Sequence, residues 1–308
     1  RPVLFLLVPC FVAAFSGGVT AAGLTHFTPQ GEALHVTQVT AQFDAPVRPL
    51  GDIAGPAPLE FSCSGAQGIA GKTRWVDVRT WAVDFSPDLP AGVRCEFRPV
   101  AGLKDAAGQP LAMAAAYLFN TGGPWATQVT TLGYGDRHID EEAVFVVHTA
   151  GDVDFASIEP KAWCVAEGIG ESIPVKLVGV AEQKKLADAA RRSDLQPGPR
   201  TVLLRCARRL PNGARVKLFW GAGIKGSSGL LTTRQSSHEF QVRPEFSVQV
   251  TCPRENARAA CHPLASIPLD FTAPLMRADA EKLRLVGPKG QEWAPELLGY
   301  PEGGEAEA

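Results

Sequence analysis

Neither sign of charge dominates this chain of 308 residues: 30 Lys and Arg stand against 32 Asp and Glu, a formal net charge of −2. A nucleic-acid binder normally presents a basic surface, so this balance argues against that class. The paired cations Lys184-Lys185, Arg191-Arg192 and Arg208-Arg209 are read as solvated faces. The apolar stretch Val3 to Phe15 falls short of the roughly 20 residues that a membrane-spanning helix needs. His26, His35, His138, His148, His238 and His262 are scattered, and with no H-x-x-x-H or C-x-x-C spacing a zinc site has no support. A G-x-S-x-G nucleophile elbow is missing, and no carboxylate pair stands out. The expectation is therefore a chain that is not an enzyme, with no catalytic residue, no cofactor and no metal. A start methionine is also missing, so the natural chain is expected to begin earlier.

What is plentiful is turn chemistry. Thirty-one Gly and 25 Pro, spread through the chain, fit many short strands joined by turns. Hydrophobic residues make up 45%, enough for real cores. The strongest signal is a repeat. Arg79 to Phe119 matches Arg200 to Phe240 at a constant offset of 121 residues. Leu89-Pro90-Ala91-Gly92 falls on Leu210-Pro211-Asn212-Gly213, Gly102-Leu103-Lys104 on Gly223-Ile224-Lys225, and Gly108 on Gly229. That period is too long for a solenoid and suits one complete small domain.

The repeat sets the expected domains. Residues 23–122 form a first Ig-like β-sandwich, with alternating faces at Val39, Ala41, Phe43 and at Trp81, Val83, Phe85. Gly122-Gly123-Pro124 is the hinge. Residues 123–245 form a second sandwich, with strands near Ala143–Val147, Ile173–Val178, Thr201–Cys206 and Val216–Trp220. It carries one helical insertion at about 181–194, rich in Ala, Lys, Arg and Leu, expected on the surface. Residues 246–308 start a third copy, in which Phe271-Thr272-Ala273-Pro274-Leu275 echoes Phe43-Asp44-Ala45-Pro46-Val47. It covers about half a domain, so the chain is expected to be the N-terminal fragment of something longer.

Residues 1–22 look like a secretory signal: Arg1, the apolar stretch, then Ser16-Gly17-Gly18-Val19-Thr20-Ala21-Ala22, with cleavage after Ala21 or Ala22. Cys10 lies inside that signal, and Pro9 before it does not suit a lipid-attachment site. The other six cysteines fall two to a unit, and only Cys63–Cys95, Cys164–Cys206 and Cys252–Cys261 keep every bridge within its unit. Disulfides imply an oxidising compartment. Gly221-Ala222-Gly223-Ile224-Lys225-Gly226 matches the G-x-G-x-x-G of dinucleotide binders, but no helix opening follows to hold a pyrophosphate. Asp136 with Asp140-Glu141-Glu142 lacks the alternation of a calcium loop and is read as solvated. Most of the six tryptophans are assigned to sandwich cores rather than to carbohydrate binding, with Trp125, beside the hinge, the candidate for an interdomain contact.

Arg74–Phe97, RWVDVRTWAVDFSPDLPAGVRCEF, together with GLKDAAGQPL (Gly102–Leu111), resembles bacterial Ig-like modules. With FNTGGP (Phe119–Pro124), AWCVAEGIGESIPVKL (Ala162–Leu177) and RPEFSVQVTCPRENARAAC (Arg243–Cys261), it is similar to the N-terminal region of bacterial α2-macroglobulin-family proteins. The resemblance implies macroglobulin-like sandwich domains in a large periplasmic protease trap. There a protease cuts a bait segment, the molecule rearranges, and a reactive thioester can capture the attacker. The thioester cysteine followed closely by Glu-Gln is absent here: Glu182-Gln183 has no nearby preceding cysteine, and Cys164-Val165-Ala166-Glu167-Gly168 lacks the glutamine. The resemblance therefore implies the scaffold portion of an endopeptidase inhibitor, exported to the periplasm or cell envelope. Its partners would be proteases, through the parent protein, and other domains of the same chain; a membrane tether stays open, and no nucleic acid is expected. The alternative is a set of Ig-like stalk modules from another exported envelope protein or adhesin. A third reading makes these modules accessory to a catalytic domain.

Overall fold

The computed structural model describes residues 21–295 apart from 53, 66–67, 133–137, 260, 263–264, 274 and 288. The signal stretch through residue 20, Cys10, Asp136 and the last residues of the third copy lie outside the described residues. The chain divides into two compact units: the first ends at Gly123 and also takes in Gly226–Leu230, and the second begins at Pro124 and holds the rest.

The first unit contains β1 (Leu24–Thr28), β2 (Gly31–Glu32), β3 (Gln38–Phe43), β4 (Leu59–Ser64), β5 (Gly71–Trp75), β6 (Thr80–Phe85), β7 (Arg94–Pro99) and β8 (Tyr117–Asn120). They form two four-stranded sheets, ordered β1-β3-β6-β5 and β2-β8-β7-β4. All pairings are antiparallel except β2 with β8. Successive strand side chains point to opposite faces, and the apolar set of each strand turns inward. Val39, Ala41 and Phe43 on β3, Trp81 and Val83 on β6, and Cys95 and Phe97 on β7 are buried together. Phe97 is the hub, with the rings of Phe27, Phe61, Trp81 and Phe119 between 5.1 and 6.5 Å from it. Trp75, Trp81 and Trp220 are buried in cores, as expected of a sandwich, whereas Trp293 is exposed.

The second unit contains β9 (Ala126–Leu132), β10 (Val144–Thr149), β11 (Ala162–Ala166), β12 (Ile173–Leu177), α1 (Val180–Ala190), β13 (Thr201–Cys206), β14 (Arg215–Trp220) and β15 (Ser236–Gln241). Its strands are ordered β15-β14-β11-β12-β13-β10-β9. Strand β12 changes sides. Ile173 and Pro174 pair with β11, whereas Val175, Lys176 and Leu177 pair with β13. The seven strands thereby enclose one core, built on Phe145, Val147, Cys164, Val175, Val202, Leu204, Val216, Leu218 and Trp220.

Strand order repeats between the units: β9-β10-β13-β12 corresponds to β1-β3-β6-β5, and β15-β14-β11 to β8-β7-β4. Individual hydrogen bonds repeat as well. Gly92 N–H donates to Gly122 O (2.8 Å), and Gly213 N–H to Arg243 O (2.9 Å). Gly108 N–H donates to Asp105 O (3.0 Å), and Gly229 N–H to Gly226 O (2.9 Å). Lys104 bridges Pro110 just as Lys225 bridges Leu231. Gly102 and Gly223 stand at φ 78° and 91°, Gly108 and Gly229 at 80° and 81°. Such left-handed turn positions exact little from glycine and much from other residues.

After Arg243, β16 (Val248–Val250) pairs antiparallel with β17 (Leu269–Phe271); α2 (Arg277–Ala280) comes next, then β18 (Leu285–Val286) pairs with β19 (Glu292–Trp293). The β16–β17 ribbon repeats the opening of both units. Asp44 N–H donates to Gly23 O, Ala150 N–H to Trp125 O, and Thr272 N–H to Ser247 O, each at 3.0 Å. The echo of Phe43-Asp44 in Phe271-Thr272 is thus also an echo in backbone bonding. The fold is all-β, tandem and Ig-like.

Candidate functional site

The cysteines are the residues whose chemistry the fold commits most clearly. Disulfides join Cys63 to Cys95, Cys164 to Cys206 and Cys252 to Cys261, with Cα–Cα separations of 4.1, 6.0 and 5.4 Å. None of these three disulfides crosses from one assigned unit to another. The two sandwich bridges occupy different places in the shared design. Cys63 and Cys95 are directly opposite one another on adjacent strands β4 and β7. Cys164 and Cys206 lie on β11 and β13, either side of the strand that changes sheets.

Alignment of the two registers explains the exchange. Cys63 and Cys95 correspond to Ala166 and Val216, which face each other as a plain apolar pair. Cys164 and Cys206 correspond to Phe61 and Phe85, whose rings meet edge to face at 5.9 Å. The disulfide of the second unit replaces an aromatic contact of the first. Gly71 completes this exchange. A Cβ there would stand 2.5 Å from Val83 Cγ1 and 2.7 Å from Phe61 Cζ, so the ring pair fills the space above it. Its counterpart beside the disulfide is Val175, which pairs with Cys206.

Two carboxylates are held inside the modules. Asp105 lies at the tip of the Gly102–Leu111 hairpin and is 8% exposed. Its Oδ1 accepts the N–H groups of Ala107 (2.9 Å) and Gln109 (2.8 Å), and its Oδ2 accepts Ala22 N–H (3.0 Å). The amide of Gln109 foremost, acting against partial desolvation, holds the carboxyl below the usual aspartate range.

Glu141 stands before β10. The expectation that the Asp140-Glu141-Glu142 cluster is solvated fails for Glu141, which is buried. The guanidinium of Arg243 donates to its Oε2 through Nε (2.9 Å) and Nη2 (2.8 Å), and Asn212 Nδ2 donates to Oε1 (2.5 Å). Burial opposes the charge. Its own backbone N–H, Arg243 and Asn212 outweigh that penalty and bring the carboxyl to about 2. This site is not legible in the sequence: Asn212 lies in the repeated turn and Arg243 follows β15, and only folding brings them to Glu141.

The remaining candidates disperse. Gly221, Gly223 and Gly226 come after β14 and enter a turn bridged at Lys225 and Leu231, and the next element is strand β15. A phosphate cradle requires a helix at that point, and a strand stands there instead. His148 Nε2 stands 3.8 Å from Asp194, and His238, partly buried, is held by that burial below the ordinary histidine value. Among the described residues, no group of three or more His, Cys, Asp or Glu could hold a metal ion. An open groove of about 430 Å³ runs over the outer face of the β8-β7-β4 sheet beside the Cys63–Cys95 bond, lined by Ser62, Ser64, Arg94, Glu96, Leu118 and Asn120. No nucleophile–base pair stands in it.

No protein-family model and no curated protein matches this chain. Solved structures do. An L,D-transpeptidase from Mycobacterium tuberculosis H37Rv is 19% identical over 51% of this chain and 59% of its own, with a TM-score of 0.22. The N-terminal part of the bacterial S-layer protein SbsC is 14% identical over 72% of this chain and 44% of its own, with a TM-score of 0.24. The transpeptidase LdtMt1, solved in complex with imipenem, is 12% identical over 70% and 91%, with a TM-score of 0.24. The chain spans less than two thirds of the length of the first of these transpeptidases. At these scores neither the transpeptidases' activity nor the S-layer protein's assembly transfers to this chain. Three disulfides place the chain in an oxidising, exported setting. Among the described residues, no helix is long and apolar enough to cross a membrane.

Proposed function

We propose that these modules are a non-catalytic scaffold, the N-terminal portion of a periplasmic α2-macroglobulin-like endopeptidase inhibitor. The observation that carries the scaffold reading is repetition. One sandwich design recurs with the same strand order and the same turn hydrogen bonds. Arrays of this kind set distances and present surfaces. The finer assignment to a protease trap rests on the sequence resemblance and places the bait and thioester segments outside these residues. In this reading the proteases meet the parent protein, and this chain contacts the other domains of that protein.

The test is to extend the reading frame beyond Ala308 and assay its product. The proposal expects further β-domains and a cysteine followed closely by Glu-Gln. It also expects inhibition of an endopeptidase acting on protein substrates by the whole product, with none by residues 22–308 alone. Repeated modules leading to a wall anchor, with no inhibition, would establish the stalk alternative instead. A catalytic motif downstream would make these modules an enzyme's accessory domains.

A further inference from the structure

We propose that the exported form of this chain begins at Ala22, released by hydrolysis of the Ala21–Ala22 peptide bond, and that the new α-ammonium is held in an ion pair by Asp105. This inference rests on the export reading and is independent of the protease-trap assignment.

The small-residue segment around Ala21 leaves the cut open between two bonds. The fold distinguishes them. Ala22 is fully buried and belongs to the first core, one residue earlier than the 23–122 span expected from the sequence. Its carbonyl accepts Ala112 N–H (2.9 Å), and Leu24 N–H donates to Ala112 O (3.0 Å). Gly23 N–H donates to Asp44 Oδ1 (2.7 Å). A cut after Ala22 would empty a core position and remove the donor that faces Asp105.

The second observation is a nearly buried carboxylate held by backbone amides alone. Buried carboxylates are normally matched by a cation or a dense set of donors. Asp105 is nearly buried, yet no Lys or Arg among the described residues forms a salt bridge with it; its partners are three backbone amides. An ammonium at the Ala22 nitrogen, which stands 3.0 Å from Oδ2, would add a cation at a hydrogen-bonding position the fold already provides.

The repeat supplies an independent control. By register, Ala22 corresponds to Pro124 in the second unit, and Asp105 to Gly226. Proline has no N–H, and glycine has no carboxylate. Donor and acceptor are present together in the module that follows a leader, and absent together in the module entered from a preceding one.

In the hydrolysis, water adds across the amide. The C–N bond breaks, Ala21 leaves as the carboxylate terminus of the leader, and the Ala22 nitrogen takes up the proton to become an ammonium. The cut precedes folding, because the folded module encloses Ala22.

The experiment expresses the full chain with its leader in an exporting bacterium and sequences the N-terminus of the exported protein. Ala-Gly-Leu-Thr-His is expected; a start at Gly23 or Leu24, or an intact leader, overturns the proposal. The α-amine of the purified protein is then acylated at a pH at least one unit below its ordinary titration. An ion pair that raises the amine by one unit leaves about tenfold less free amine, so wild type should react about tenfold more slowly than D105N. If D105N does not fold, the pH profile of wild-type acylation is compared with that of its own urea-unfolded form, where the folded midpoint is expected about one unit higher. Equal rates in wild type and D105N, or equal midpoints folded and unfolded, overturn the pairing.

Discussion

Glu141 is the residue on which electrostatics acts most strongly. Its charge is costly to bury, and Arg243 and Asn212 reverse that cost. Because the folded carboxyl titrates lower than a free glutamate, the unfolded state takes up the proton first on acidification. The stabilisation is complete above the unfolded value of about 4.5 and is lost as pH falls through about 2. The second unit should therefore weaken through that window. Glu141→Gln should lower its stability near pH 7 by roughly 2–3 kcal/mol, since it removes the buried carboxylate from Arg243 and leaves it the partly exposed Asp140 as anionic partner. Urea titrations at pH 7 and pH 3 test this: the gap between wild type and E141Q should narrow in acid. Gly71 is governed by space instead, having given up its side chain to the Phe61–Phe85 ring pair.

At the scale of elements, the helix α1 does more than decorate a surface. Strand β3 of the first unit alternates buried and exposed residues, whereas Val144 through Val147 on its counterpart β10 are all buried. Phe145 and Val147 enter the main core. Val144 and Val146 join Val178, Ala187, Leu195 and Leu203 in a second, smaller core on the other face. Gln183, buried within α1, donates through Nε2 to Leu195 O (3.0 Å) and fixes the helix to the turn after it. Leu195→Ala should thus destabilise the second unit by about 2–4 kcal/mol, while Val165→Thr on an exposed face should change it by less than about 0.5 kcal/mol. Thermal unfolding of the two variants checks the contrast.

The helix was legible from the composition of 181–194, and β13 at Thr201–Cys206 coincides with its expected span. Period-2 patterning and turn residues carry that information locally. Ala143–Val147 is expected from the sequence only as a strand; its burial on both faces depends on α1 and the turn after it, contacts remote in sequence. The same limit hid Glu141, whose partners come from 71 and 102 residues away.

Across the whole molecule, backbone design and cross-link placement separate. The turns, glycine conformations and strand order recur, while each disulfide sits where its own module has room for it. The chain-entropy treatment gives about 4 kcal/mol for each of the two longer loops and about 2.5 kcal/mol for the nine-residue loop. Each bond then stabilises one module and leaves the others to their own cores, as expected of a scaffold assembled from separately closed units. The most direct test is non-reducing proteolysis of the exported protein followed by mass spectrometry of the linked peptides. Peptides joined only as Cys63–Cys95, Cys164–Cys206 and Cys252–Cys261 are predicted. A linked pair drawn from two different modules would contradict the account.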